Sequence, residues 1–331
     1  MSDGSAPTRA PGTGTGAAPA TVTAPALAAA AGLVTHGETA VHAPRTLAEA
    51  LAVKAEHGAA CTVVAGGTDL MVGARPGVRR FSRVLDLWRV AELRGVSTDE
   101  HGALVLGATT TFAEIIRSPV VASAAPALVA AARTIGAEQI QARATIGGNV
   151  VNASPAADSV PVLSACDAQL VIASAAGGER TVALHDFYLG YKKLDLAPGE
   201  LLVRVVLPAH PFTWMAFRKV GTRAAQSIAK VAVAGRAWVV DGKIQDVALA
   251  YASVAPTVVR ARLAEKLLLS YDVTQLPVAQ VRRALASDLR PIDDVRSTAD
   301  YRRRVAANVT ARLLQELAAT AGAAAPAAGG R

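Results

Sequence analysis

The stretch V-V-A-G-G-T-D-L at residues 63–70 joins a short apolar run to a glycine-rich loop, and it is the main indication of the fold of the first half of the chain. Upstream, Thr46 and Glu49 form a capping box that predicts the start of a helix, which Gly58 would end. The apolar residues 61–64 then predict a short buried strand. A helix followed at once by a strand is typical of an α/β unit.

A second glycine-rich loop, T-I-G-G-N, lies at residues 145–149. Because glycine lacks a Cβ and tolerates positive φ, successive backbone amides of such loops can converge on an anion. Two of them suit the two negative charges of a dinucleotide diphosphate, although each loop taken singly could be an ordinary turn. Neither loop has the Rossmann or P-loop pattern, which weakens the NAD and NTP interpretations. Asp158, after the second loop, could accept ribityl or ribose hydroxyls or simply cap a turn.

Strand and helix signals continue to about residue 210. A second capping box, from Thr111 to Glu114, predicts a short helix that ends before Pro119. A further helix is predicted over residues 126–135. Strands are predicted over residues 81–87, 103–108, 169–174, 180–184 and 201–207, and the 169–174 and 180–184 strands would form a hairpin.

The pattern changes after Pro211. Two apolar runs, 231–240 and 244–254, flank Asp241-Gly242, which predicts a hairpin because Asp-Gly suits a type I′ turn. Helices are then predicted near 261–270 and 277–288, followed by a last helix that would open with a capping box from Ser297 to Asp300.

These signals predict two domains between two tails. The first domain would cover residues 37–210, and a second, α+β domain would cover residues 211–317. Residues 1–36 and 318–331 are rich in Ala, Pro, Gly and Thr, a composition typical of disordered tails.

Composition argues against several functional classes. The net charge is +8, from 34 Lys and Arg against 26 acidic residues, but the basic residues are scattered. The densest run, Arg302-Arg303-Arg304, predicts a solvated helix face rather than a nucleic-acid surface. No run reaches the roughly 20 apolar residues of a membrane-spanning helix. Residues 24–34 lack the basic region of a signal peptide, which favours a cytoplasmic protein.

The metal-binding and nucleophilic side chains are also sparse. The two cysteines, Cys61 and Cys166, are too few for a disulfide framework, a four-thiolate zinc site or an iron–sulfur cluster. The six histidines lack ligand spacing. The sequence therefore predicts no metal ligand and no catalytic acid, base or nucleophile.

Six segments together carry a family resemblance. In chain order they are V-V-A-G-G-T-D-L (63–70), A-R-A-T-I-G-G-N-V-V-N-A-S-P-A-A-D (142–158), F-Y-L-G-Y-K-K with A-P-G-E-L-L (187–202), F-R-K-V-G-T-R-A-A-Q-S-I-A-K-V (217–231), S-V-A-P-T-V-V-R-A (253–261) and P-I-D-D-V-R-S-T-A-D-Y-R (291–302). With them the chain resembles the flavin-binding medium subunits of the molybdenum hydroxylases, the family of carbon monoxide dehydrogenase and bacterial xanthine dehydrogenase. The resemblance spans roughly residues 38–316.

The resemblance implies an α+β fold. A two-part FAD-binding domain of the vanillyl-alcohol-oxidase (PCMH) type would be followed by a small C-terminal antiparallel sheet with helices. FAD would lie between the two parts of the first domain. The residues that the family pattern assigns to the cofactor are Ala65, Gly66, Gly67, Thr68, Asp69, Leu70, Thr145, Ile146, Gly147, Gly148 and Asn149 at the diphosphate, Asp158, Leu202 and Lys219 beside the cofactor, and Tyr191 over one flavin face.

Some of these assignments have plain structural alternatives. Leu202 could be a strand core residue, and Lys219 a solvated lysine at a strand end. Ile135 departs from the aromatic residue of the animal xanthine enzymes, and residues 223–227 lack the acidic pair those enzymes place near NAD. Valine at Gly66 or Gly147 is expected to strip FAD by obstructing the amide cradle.

The implied function is electron transfer within a complex. A small subunit with [2Fe–2S] clusters would deliver electrons to FAD from a large molybdenum subunit that oxidises xanthine or another N-heterocycle, in a dimer of heterotrimers. FAD would reduce an external acceptor, which the sequence leaves open between NAD, a quinone and oxygen. Two alternatives remain at this point: a stand-alone FAD-dependent reductase and a flavin-free assembly subunit.

Overall fold

A computed structural model describes Met1 and residues 34–36, 39–73, 81–224, 226–269 and 271–324. The first sheet contains a helix crossover. Its strands lie in the order β1-β2-β4-β3, with β1 antiparallel to β2 and with β4 parallel to both β2 and β3. Their bounds are β1 Val34–His36, β2 Thr39–His42, β3 Thr62–Val64 and β4 Arg83–Asp86, with helix α1 Leu47–His57 between β2 and β3 and helix α2 Leu70–Gly73 after β3.

The second sheet is antiparallel, with the order β5-β6-β11-β7-β8. Six helices fill the connection between β6 and β7. The strands are β5 Val96–Thr98, β6 Leu104–Gly107, β7 Gln169–Ser174, β8 Gly178–Ala183 and β11 Glu200–Leu207, with the short pair β9 Tyr188–Gly190 and β10 Lys193–Leu194 before β11. The helices are α3 Phe112–Arg117, α4 Pro119–Ala124, α5 Pro126–Ala132, α6 Glu138–Gln141, α7 Ile146–Val151, α8 Val160–Ala165 and, after β8, α9 Leu184–Phe187.

Both faces of this second sheet are buried. Leu201 and Val203 of β11 pack with Ala50 and Val53 of α1 in one core cluster. Leu202 and its neighbours on the opposite face pack against the helices that follow β6. The second sheet is therefore the middle layer of the N-terminal part (β1 to β11), and residues at its ends lie near both layers.

The C-terminal part (β12 to α12) is an antiparallel sheet, β12-β13-β14-β15, covered by helices on one face. The other face contributes alanines of β13 and β14 to the core of the N-terminal part, so the two parts share one core. The bounds are β12 Trp214–Val220, β13 Val231–Val240, β14 Lys243–Ala252, β15 Val259–Arg260, α10 Arg262–Leu268, α11 Val278–Asp288 and α12 Ala299–Ala324.

Several local predictions are confirmed. Both hydrogen bonds of the capping boxes at Thr46 and Thr111 are present. Asp241 and Gly242 have φ of 50° and 75°, and they join β13 to β14 as the type I′ hairpin requires. The helix predicted over residues 126–135 is shorter, because α5 ends at Ala132 and a turn leads to Gly136 at φ 55°.

The end of the chain differs from the prediction. The hydroxyl of Thr298, not of Ser297, accepts the amide of Tyr301 at 3.2 Å, so the capping box predicted from Ser297 to Asp300 is wrong by one residue. Helix α12 runs to Ala324, past the expected start of the tail at 318, because alanine has the highest helix propensity. Residues 325–331 lie outside the described residues.

The start of the chain also differs from the prediction, because part of the expected tail is a strand. The expected tail 1–36 includes β1, which pairs with β2; residues 2–33 lie outside the described residues. Within the part of the chain that the structure describes, no helix is long and apolar enough to cross a membrane.

Candidate functional site

A cavity of about 1430 Å³ opens where the N-terminal sheets, the helices after β6 and the C-terminal sheet meet. Both glycine-rich loops line it, together with the segment before β11 and the loops of the C-terminal part. Of the residues predicted from the sequence, all except Ile146 and Lys219 line this cavity. Ile146 is fully buried in the core of the N-terminal part, so its side chain does not line the cavity.

The first loop presents free backbone amides. It leaves β3 and turns at Gly67, where φ is +74°, a value that favours glycine. Within the described chain, the amides of residues 65–69 have no hydrogen-bond acceptor, whereas Met71 and Val72 already donate to the carbonyls of Gly67 and Asp69. Adjacent unpaired amides at a cavity wall suit an anion.

The second loop differs, because its amides are already used. The amides of residues 146–149 donate to the carbonyl of Thr110, the carbonyl of Ala108, the hydroxyl of Thr145 and the carbonyl of Thr145, respectively, at 2.9–3.2 Å. The expectation that successive amides of this loop converge on an anion is therefore wrong. The free donor here is a side chain. The hydroxyl of Ser159 donates to Asn149 Oδ1 at 2.6 Å, and within the described residues the Nδ2 amide group of Asn149, at the cavity wall, has no partner.

The structure explains the glycines of the two loops differently from the sequence prediction. A Cβ on Gly66 would collide with the carbonyl of Arg143, and a Cβ on Gly147 would lie 2.6 Å from the carbonyl of Ala108. Both residues are glycine because two chain segments touch there. A valine at either position would displace the loops themselves, so the predicted obstruction of an amide cradle is not the physical reason.

Asp158 carries the most specific polar group of the cavity. Its Oδ2 accepts from Lys219 Nζ at 2.6 Å, and its buried Oδ1 has no partner within the described chain. Burial raises the pKa of this carboxyl to about 6, even though Lys219 counteracts the rise. A buried unpaired carboxylate oxygen at a cavity wall needs a donor, and a ligand hydroxyl provides one.

Lys219 lies behind Asp158 rather than at the cavity surface. It comes from β12 in the C-terminal part, and its ammonium also donates to the carbonyl of Thr134 at 3.0 Å. Its side chain is only 8% exposed, so the interpretation of Lys219 as a solvated lysine is wrong. It orients the Asp158 carboxylate and does not line the cavity itself.

Comparisons with known proteins agree with this geometry. The family model described as the FAD binding domain in molybdopterin dehydrogenase matches residues 36–210, and the CO dehydrogenase flavoprotein C-terminal domain matches residues 216–317. The chain belongs to this family of FAD-binding subunits. The recognition made from the six segments, the α+β fold and the oxidoreductase-subunit class are thereby confirmed.

The matches with individual relatives extend over nearly the whole length of each relative. The putative xanthine dehydrogenase FAD-binding subunit XdhB of Escherichia coli (strain K12) is 31% identical over 85% of this chain and 96% of the relative. The carbon monoxide dehydrogenase medium chain of Hydrogenophaga pseudoflava is 30% identical over 82% of this chain and 94% of the relative. The solved carbon monoxide dehydrogenase of that organism superposes with a TM-score of 0.81 at 28% identity, covering 87% of this chain and 99% of that chain.

The residues of the cavity fit FAD. The unpaired amides of residues 65–69 suit a diphosphate, and Asp158 Oδ1 and the Asn149 amide suit sugar hydroxyls or ring heteroatoms. Leu202 is a core residue of β11, as the structural alternative predicts, and it also forms part of the cavity wall. Tyr191 stands at the mouth with 62% of its surface exposed, and Ile135 lines the wall as an aliphatic residue.

The residues that form the C-terminal wall of the cavity were not predicted from the sequence. Arg302 lines it and is 5% exposed; its guanidinium donates to both oxygens of Asp294 at 2.7 and 2.8 Å and to the carbonyl of Ser253. The interpretation of a solvated arginine run therefore holds for Arg303 and Arg304 and is wrong for Arg302. The signal was present, since the segments at 253–261 and 291–302 both belong to the family pattern.

Proposed function

We propose that this chain is the electron-transfer flavoprotein subunit of a molybdenum-containing hydroxylase or dehydrogenase complex. The observation that carries the proposal is the cavity in which the unpaired Asp158 oxygen and the free amides of residues 65–69 are brought together. FAD supplies the redox chemistry when bound. The protein holds the cofactor and sets its surroundings.

Each group of the cavity has a task in that function. The amides of residues 65–69 would bind the diphosphate, with Thr68 and Asp69 at the start of α2 completing the loop. Asp158 would accept a hydroxyl of the cofactor, held in place by Lys219. Leu202 and Ile135 give an apolar wall that excludes water, and Tyr191 would cover the flavin at the cavity mouth. In this proposal the substrate is bound and oxidised in another subunit.

The proposed partners follow from placing the flavin in this chain and the substrate in another subunit. Electrons would come from a small subunit with [2Fe–2S] clusters and, behind it, a large subunit with the molybdenum cofactor that oxidises xanthine, another N-heterocycle or a related substrate. The names of relatives support this, since they include subunits and medium chains of xanthine, carbon monoxide and caffeine dehydrogenases. We propose a cytoplasmic dimer of heterotrimers and an external acceptor for the electrons.

The test is purification of the full chain, alone and co-expressed with its genomic neighbours, with Asp158→Asn as a matched variant. We expect flavin absorbance and acid-released FAD at one per chain from the wild type, lower occupancy in the variant, and added iron and molybdenum in the complex. Turnover by the isolated chain would support a stand-alone FAD-dependent reductase instead. A folded, colourless chain in both preparations would support a flavin-free assembly subunit and overturn the proposal.

A further inference from the structure

Trp88 lies beside the first glycine-rich loop but outside the cavity. It follows β4, and its neighbour Leu87 donates to the carbonyl of Val64 at 2.8 Å, directly before the loop begins. The amide of Trp88 donates to Asp86 Oδ1 at 2.9 Å. The indole therefore follows the end of β4, next to the end of β3 from which the loop with the free amides leaves.

Arg143 connects this indole to the second loop. Its guanidinium carbon lies 3.7 Å from the Trp88 ring centroid, a close cation–π stack. The carbonyl of the same residue packs against Gly66, at the position where only glycine fits. Arg143 thus touches the first loop with its backbone and Trp88 with its side chain, two residues before Thr145 opens α7.

Arg94 makes a second connection from the same indole. Its guanidinium carbon lies 4.7 Å from the ring centroid, and its Nε donates to Glu114 Oε1 at 2.9 Å. Glu114 Oε2 accepts from both the amide and the hydroxyl of Thr111 at 2.8 Å. Thr111 in turn forms a β-bridge with Thr145. Both connections from Trp88 therefore end at the second loop.

We propose that Trp88 is a positioning residue that holds the two glycine-rich loops at the separation FAD requires. Trp88, Arg94 and Arg143 do not line the cavity, so they act through the loops. The inference rests on the proposed FAD-binding function. The two loops belong to different layers of the fold, and the Trp88 stack is a bridge between them on the outer side of the site.

The test measures the FAD dissociation constant of the reconstituted full-length apoprotein by flavin fluorescence. Trp88→Leu removes both cation–π contacts and should weaken FAD binding about five- to twentyfold. Trp88→Phe keeps a ring and should restore most of the affinity. Trp238→Leu is the matched control, because Trp238 is 36% exposed near the C-terminal end of β13 and does not line the cavity, and it should leave the constant unchanged.

A double-mutant cycle separates positioning from general stability. Arg143→Met should weaken FAD binding on its own, and Trp88→Leu with Arg143→Met should weaken it much less than the product of the two single effects. Strictly multiplicative effects, or wild-type affinity in folded Trp88→Leu and Arg143→Met, would overturn the inference. If the wild-type chain itself binds no FAD, the proposed function fails rather than the role of Trp88.

Discussion

FAD binding should weaken by up to about elevenfold between pH 8 and pH 5, because the ionised Asp158 carboxylate accepts a cofactor hydroxyl more strongly than the protonated carboxyl does. Burial raises the pKa of Asp158 to about 6, with Lys219 at 2.6 Å limiting the rise. At one pH unit below this pKa only about one carboxyl in eleven is ionised, so the apparent dissociation constant rises by at most about that factor.

The assay is a flavin fluorescence titration of the apoprotein at half-unit steps from pH 5 to pH 8. Asp158→Asn keeps the shape and an acceptor oxygen but cannot titrate, so its weaker affinity should not vary with pH over this range. A wild-type profile that is flat, or parallel to that of the variant, would refute the assignment of Asp158 Oδ1 to the cofactor.

As the pH falls, the contribution of Asp158 to the stability of the apoprotein should increase, whereas its contribution to FAD binding should decrease. The pKa of Asp158 in the folded chain lies above its unfolded value of 3.8, so its contribution to stability is present below pH 4 and is lost as the pH rises through 6. The Asp158→Asn variant has no carboxyl to ionise, so its stability does not fall in this way. Its free energy of unfolding relative to wild type should therefore increase by about 1.4 kcal/mol between pH 5 and pH 7, as measured by urea denaturation without FAD. A pH-independent difference would contradict the burial of an ionisable Asp158.

Five further substitutions test the rest of the site and the fold. Lys219→Met leaves the Asp158 carboxylate without its buried cation and should weaken FAD binding at pH 7 at least tenfold. Lys219→Arg should recover part of the loss. Equal affinities in wild type and both variants would contradict the pairing of Lys219 with Asp158. Gly66→Ala forces a side chain into backbone and should lower the unfolding free energy by about 2 kcal/mol or more, together with FAD occupancy, in thermal denaturation. Thr298→Ala should cost about 1 kcal/mol in urea denaturation and Ser297→Ala almost nothing, and the reverse order would restore the capping box at Ser297.

The sequence predicted the elements whose signals are local. The capping boxes at Thr46 and Thr111 depend on contacts within four residues, and the hairpin at Asp241-Gly242 depends on the φ preferences of two residues. The pairing of β1 with β2 was missed, because nothing within their own few residues distinguishes β1 from loop. Their stability comes from partners elsewhere in the chain.

The glycine-rich loops show a different limit. Their positions at the cavity were predicted correctly, but Gly66 and Gly147 are explained by contacts with Arg143 and Ala108, not by a ligand. A glycine pattern reports that something approaches the backbone closely, and another part of the chain satisfies that condition as well as a diphosphate does. Only the hydrogen-bond partners of each amide separate the two cases.

The C-terminal part contributes directly to the proposed cofactor site. The carboxylate of Asp158 lies in the N-terminal part, but the cation that orients it, Lys219, comes from β12. The two parts are joined nearby at Asp167, which accepts from Arg236 at 3.3 Å and from Arg260 at 2.8 Å. Residues 36–210 match the FAD-binding family model on their own, yet without β12 Asp158 would lose its ion pair and its burial. The affinity for FAD and its dependence on pH are therefore properties of both parts together.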